Sequence, residues 1–116
     1  MSDATHMELP LYSIAHARTG DKGNRVNIGV FAYQPEFYPL LLEQVTEARV
    51  LSMFQHRGAS RVVRYELPQL QALNLVIDDV LEGGVNGSLN LDGHGKTLAF
   101  LLLALPLQIP QALLRE

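Results

Sequence analysis

The sequence predicts an α+β domain, a two-layer sandwich in which two helices cover one face of a mostly antiparallel sheet. Three features carry that prediction. Strand-patterned and helix-patterned segments alternate through the middle of the chain, a turn-rich hairpin stands at each end, and the most apolar stretch, Leu98 to Leu105, is short and stopped by Pro106. With 116 residues and 47% hydrophobic composition, the chain can bury one core without disulfides or a structural metal. Residues 1–116 are therefore read as a single domain, with residues 1–9 as a flexible N-terminal tail.

Taken in order, Leu11 to Arg18 reads as a strand. Val26 to Tyr33 alternates Val26, Ile28, Val30 and Ala32 against Asn27, Gly29, Phe31 and Tyr33, the period of a second strand. Six or seven turn-forming residues between them predict a hairpin. Pro35 then opens a helix running to about Gln55, with Phe37, Leu40, Leu41, Val45 and Ala48 at helical spacing and Gly58 after its end. Arg61 to Leu67 has the β-branched and aromatic content of a strand, and Pro68 marks its exit. From Pro68 to Glu82, Leu70, Leu73, Ile77, Val80 and Leu81 fall on one helical face, and Gly83-Gly84 supplies a stop. Ser88 to Leu91 and Thr97 to Leu105 flank Asp92-Gly93-His94-Gly95 as a closing hairpin. The predicted order is ββαβαββ, a ferredoxin-like arrangement.

Composition excludes several classes. There is no cysteine, hence no disulfide framework, thiolate metal site or cysteine nucleophile. A net charge of -3 and the lack of a basic stripe interleaved with aromatics argue against a nucleic-acid partner. The polar, acidic start from Met1 to Leu11 lacks the pattern of a secretory signal, and Leu98 to Leu105 is far short of the roughly 20 residues of a membrane-spanning helix, so a cytoplasmic, non-membrane protein is expected. His6, His16, His56 and His94 have no metal-ligand spacing with carboxylates, and no metal is expected.

Leu98 to Leu105 does not alternate in polarity, so as a strand both its faces must be dry. Helices cover only one face of a two-layer sheet, and Phe31 and Tyr33 point to the other. A homo-oligomer or a partner subunit is the expected cover; the alternative is that the tail Gln108 to Glu116 folds back over that face.

The chemistry-bearing stretch is His16 to Gly29, HARTGDKGNRVNIG. A loop with two glycines, a lysine and flanking arginines points backbone N–H groups and cationic side chains at an anion, a carboxylate or a phosphate. In that reading Arg18, Lys22 and Arg25 hold charge, Thr19 and Asn24 orient the ligand, and Gly20 and Gly23 free the backbone. Asp21 accepts a hydrogen bond or, if desolvated, acts as a general base. The simpler reading is a hairpin turn whose glycines adopt positive φ and whose charges face water. Arg64 extends the cationic set or pairs with Glu66. Asn27 and Asn74 are either satisfied structural amides or pocket-lining ones. His16 is the only histidine near the loop, a structural residue or an acid–base group. Asp21, Lys22 and His16 are the catalytic candidates.

The motif AHARTGDKGNRVNIGV resembles the opening signature of the family of acyclic terpene utilisation protein A (AtuA), in its C-terminal ferredoxin-like domain. Further similarities are Arg64-Tyr65-Glu66-Leu67-Pro68, Ala72-Leu73-Asn74, Leu81-Glu82-Gly83-Gly84-Val85, Ser88-Leu89, Asp92 and Gly95-Lys96. In that family the domain follows a much larger N-terminal domain, which this chain lacks. The resemblance therefore implies a separately encoded accessory or substrate-binding subunit of a catabolic enzyme acting on acyl-CoA or carboxylate compounds, partnered by an AtuA-type large subunit. No cofactor of its own is expected; coenzyme A enters only as part of a substrate. No serine–histidine–acid set or dinucleotide fingerprint is present, so the chain is not expected to be an enzyme on its own. The alternatives are a self-contained small lyase or hydrolase and a structural oligomerisation module.

Overall fold

The computed structural model describes residues 6–22, 25–79 and 98–114. The protein is α+β with antiparallel sheets. Strand β1 (His6–Pro10) and a 3-10 turn (Leu11–Ser13) lead into β2 (Ala15–Lys22) and β3 (Arg25–Ala32). Helices α1 (Tyr38–Gln44) and α2 (Glu47–Phe54) follow, then β4 (Arg61–Leu67) and β5 (Ala72–Asp78). Helix α3 (98–103) and strand β6 (Pro106–Pro110) close the fold.

The main sheet has the order β2-β3-β5-β4, with every neighbouring pair antiparallel. β3 and β4 thus run parallel on either side of β5, and α1 and α2 form the crossover between them. This split βαβ unit is a component of ferredoxin-like folds. Alternation decides which face is buried: Val26, Ile28 and Val30 of β3 and Leu73, Leu75 and Ile77 of β5 are fully buried. They share one core with Leu41, Val50 and Phe54 of the crossover helices and Leu98 and Leu102 of α3.

Several predicted elements are corrected. The helix predicted from Pro68 to Glu82 is not found over its described residues, 68–79: Pro68–Leu70 make one 3-10 turn, Gln71 turns the chain with φ 52°, and Ala72–Asp78 is β5, while residues 80–82 lie outside the described residues. Leu73 and Ile77 fit a helical stripe, but Leu73, Leu75 and Ile77 fit a strand period equally. The slot between β3 and β4 satisfies the backbone of that strand on both sides. Residues 98–103, predicted as a strand, are α3: Leu98, Ala99 and Leu102 are buried while Phe100 is exposed, and leucine and alanine favour helix over strand. The expected 35–55 helix breaks in two, because Val45 leaves helical geometry and Thr46 recaps, accepting a hydrogen bond from the Arg49 N–H at 3.2 Å. The first strand starts at Ala15, not Leu11. Among the described residues the order ββαβαββ and the two-helix layer give way to three α-helices, with strand pairs β2–β3 and β4–β5 either side of the crossover. Ser88 to Leu91 and the turn at 92–95 of the closing hairpin lie outside the described residues.

Part of the expected N-terminal tail, residues 6–9, is ordered as β1, which pairs with β6 in register from His6↔Pro110 to Pro10↔Pro106. Leu107 and Ile109 enter the core from this second sheet. Gln44 ties it to α1: its Nε2 donates to the Gln108 carbonyl and its Oε1 accepts from the Gln108 N–H, both at 2.8 Å.

Candidate functional site

The helices pack on one face of the main sheet; no described element covers the other. Alternation and register together dictate what that open face carries. In successive cross-strand rows it holds His16, Phe31, Ala72 and Leu67; then Arg18, Gly29, Asn74 and Tyr65; then Gly20, Asn27, Val76 and Val63. Four of the predicted site residues, Arg18, Gly20, Asn27 and Asn74, are gathered there with His16. Their sequence separations vanish in the sheet: neighbouring strands stand about 4.8 Å apart and diagonal positions about 7–8 Å apart.

The stretch expected to be an anion-binding loop is mostly strand. β2 runs to Lys22 and β3 begins at Arg25, with Lys22 and Arg25 paired, so the connection is two residues long. Arg18 to Lys22 therefore belong to the β ladder and do not cradle an anion with loop amides; any recognition falls to side chains. Gly20 and Gly29 lack positive φ, so their value lies in the missing side chain, as where a ligand or neighbouring group approaches a strand closely. A Cβ on Gly20 would stand 3.1 Å from Asn27 Oδ1, and one on Gly29 would stand 3.0 Å from Phe31 Cε1. The Asn27 amide thus lies over Gly20 and the Phe31 ring leans over Gly29. His16 stacks on Phe31 with centroids 5.3 Å apart at 14°, and meets Tyr33 at 5.4 Å.

Arg18 is exposed, and among the described residues it has no hydrogen-bond or ion-pair partner; the same holds for the Asn27 and Asn74 amides. Arg25, one strand over, is already paired: its Nε donates to Asp78 Oδ1 at 2.8 Å, and that bond and charge raise its pKa.

Two predicted residues face the helices instead. Thr19 lies with Ala17 beside Ala99, Phe100 and Leu103 of α3. Arg64 donates from Nη1 to the carbonyls of Leu42 at 2.8 Å and Val45 at 3.0 Å, and from Nη2 to Glu66 at 3.0 Å. It caps the C-terminal end of α1 and is not gathered with Arg18. Asp21 pairs with Val26 in the ladder; Gly23 and Asn24 lie outside the described residues. Sequence reasoning missed Gly29 and Tyr65 as neighbours of Arg18 and Asn74. The signal was the period-2 set Asn27, Gly29, Phe31, three residues of unlike chemistry sharing one face.

Among the described residues there is no cluster of three or more histidine, aspartate or glutamate side chains able to hold a metal ion. Nor is any helix there long and apolar enough to cross a membrane. What remains is a small α+β domain in which Arg18 and the Asn27 and Asn74 amides, unpartnered among the described residues, stand on one sheet face. The chain belongs to the AtuA ferredoxin-like domain family, whose model matches residues 9–108 of the 116. No curated protein and no solved structure matches it significantly.

Proposed function

We propose that this protein is an accessory or substrate-binding subunit of an AtuA-type catabolic enzyme acting on acyl-CoA or carboxylate compounds, and that the open sheet face holds the anionic part of the substrate. One observation carries the reading. Among the described residues Arg18 stands without a partner on the edge strand β2, with Gly29 directly across on β3 and two unpartnered amides, Asn27 on β3 and Asn74 on β5, further in along a face that no described element covers. An arginine fork with flanking amide donors matches a carboxylate or phosphate. A flat face holds a small ligand weakly, because binding sites are concave and bury most of the ligand. The site is therefore completed by a second protein laid over the sheet, the role assigned here to an AtuA-type large subunit. Coenzyme A is then a substrate moiety, and the aromatic end of the face, His16, Phe31 and Tyr33, offers a stacking surface to its base.

The test is isothermal titration of the protein, alone and mixed with a large AtuA-type subunit, against a panel of acyl-CoA esters and dicarboxylates. Saturable binding should strengthen in the mixture and be lost in Arg18→Ala. Binding that survives Arg18→Ala, or a mixture no better than the large subunit alone, would overturn the proposal. Turnover by the isolated protein would favour a self-contained lyase or hydrolase.

A further inference from the structure

We infer that the outer edge of β2 is a self-association surface, on which a second copy of this chain docks antiparallel about a two-fold axis at Thr19 and joins two four-stranded sheets into one. The edges of the fold are treated unequally. At β4 the Glu47 carboxylate accepts the Arg64 N–H at 2.8 Å, and at β6 the Gln44 amide binds both the N–H and the carbonyl of Gln108. Among the described residues nothing caps or pairs the outer edge of β2, a proline-free strand from Ala15 to Lys22. An unguarded strand edge is a template for another strand.

The surface beside that edge is apolar. A groove of about 400 Å³ is formed by Ala17, Arg18 and Thr19 of β2 against Ala99, Phe100 and Leu103 of α3. A second groove shares Phe100 and Leu103 with it and adds Tyr12 and Ala104. Phe100 is 77% exposed and Tyr12 60%. In a symmetric pair, two Phe100 and two Tyr12 bring about 400–600 Å² to the contact, roughly half of the ~1,000 Å² a specific interface needs, and two strand edges supply the remainder.

Charge selects the axis. A two-fold axis perpendicular to the sheet sets residues of the same face opposite one another. Placed at Arg18 it opposes Arg18 to itself, and placed at Gly20 it opposes Arg18 to Lys22; like charges directly across a ladder are destabilising. Placed at Ala17 it pairs only residues 15–19. At Thr19 it pairs residues 16–22: Arg18 faces Gly20, which has no side chain to obstruct it, Ala17 faces Asp21, and His16 faces Lys22. The two Arg18 side chains are then diagonal, where solvent and salt screen them. Thr19 meets its own copy at the groove between β2 and α3, a favourable Thr–Thr pair. An isologous contact requires this self-complementarity.

The chain contains no cysteine, so single cysteines report proximity without background. Under mild oxidation Thr19→Cys should form a disulfide-linked dimer, while Asn27→Cys, on the interior strand β3, should not. By analytical ultracentrifugation the wild type should be a dimer at about 100 µM, a concentration that saturates a specific interface. Phe100→Asp, a change at an exposed position, should weaken it by at least about tenfold with its circular dichroism unchanged, and Arg18→Ala should remain dimeric. A monomeric wild type at that concentration would overturn the inference. So would a dimer indifferent to Phe100→Asp, or cross-linking at Asn27→Cys as fast as at Thr19→Cys. None of these results bears on ligand binding at the open face.

Discussion

Two arginines of the signature segments, Arg18 and Arg64, look alike in sequence and stand on opposite faces of the sheet, so their substitutions should separate cleanly. Arg64→Ala removes two charge-assisted bonds to the Leu42 and Val45 carbonyls and one to Glu66. The Arg64 side chain is 18% exposed and that of Glu66 53%. The ion pair is therefore worth little, under about 1 kcal/mol, and the two carbonyl bonds carry the effect at about 1.5 kcal/mol each. A loss of about 3 kcal/mol is expected, a large part of the 5–15 kcal/mol that holds a domain of this size. With a urea m-value of about 1.5–2 kcal/mol/M this lowers the unfolding midpoint by about 1.5–2 M at constant m. Arg18→Ala, which removes no described contact, should move the midpoint by less than about 0.3 M. Arg64→Lys keeps the charge but not the fork and should fall between. Equal destabilisation by Arg18→Ala and Arg64→Ala, or a negligible effect of Arg64→Ala, would refute the division of the two arginines into binding and capping roles.

Two further outcomes follow from named contacts. The Tyr38 hydroxyl donates to the Ala72 carbonyl at 2.9 Å, and burial, with a smaller contribution from the Glu66 charge, raises its pKa above the ordinary 10.0. The unfolded chain then loses that proton first, so stability is complete below about pH 10 and falls as pH rises through the raised folded value. Tyr38→Phe should cost about 1 kcal/mol at neutral pH and flatten that alkaline decline, as read from urea midpoints at successive pH values. Gly29→Val should push the Phe31 ring off the strand and unstack His16, since even a Cβ there lies 3.0 Å from the ring. Calorimetry should show anion binding lost while thermal stability shifts by no more than about 1 kcal/mol, because valine suits a strand and offsets the displaced ring.

How much of this was legible in sequence differs from element to element. Arg61–Leu67 matches its predicted bounds, and Val26 to Tyr33 lies within a residue of the observed β3, because both carry strand composition between clear stops. Residues 72–78 were misread because Leu73 and Ile77 lie four apart, a spacing that serves a helix face and a strand face alike. Only the vacancy between β3 and β4 decides between them, and that is a tertiary fact. The 98–103 segment failed the other way: an unbroken apolar run fits a doubly buried strand or a helix, and there the scarcity of β-branched residues was the better guide. The helix leaves Phe100 exposed, so the argument that a doubly dry strand needs a cover does not hold. The case for association moves to the edge of β2, which no described strand pairs.

Of the residues that the candidate site gathers, Arg18, Gly20, Asn27 and Asn74 stood out in sequence, but their arrangement did not. Glycine between charged residues reads as a turn, and Gly20 and Gly23 invited a loop whose amides hold an anion. Register undoes this. Once Lys22 pairs with Arg25, every residue from Arg18 to Lys22 is a ladder residue, and period 2 sorts Arg18 and Gly20 to one face and Thr19 to the other. The same register brings Asn74, more than 40 positions away in sequence, beside Gly29 and within one row of Asn27. A side-chain-free floor at Gly20 and Gly29, approached among the described residues by the Asn27 amide and the Phe31 ring, is costly to a strand that gains nothing from it, since glycine weakens strands and packs nothing. That cost falls on the uncovered face and not on the core, where every β3 position holds valine or isoleucine from Val26 to Val30. It is the strongest physical reason to place the function of this chain on the open sheet.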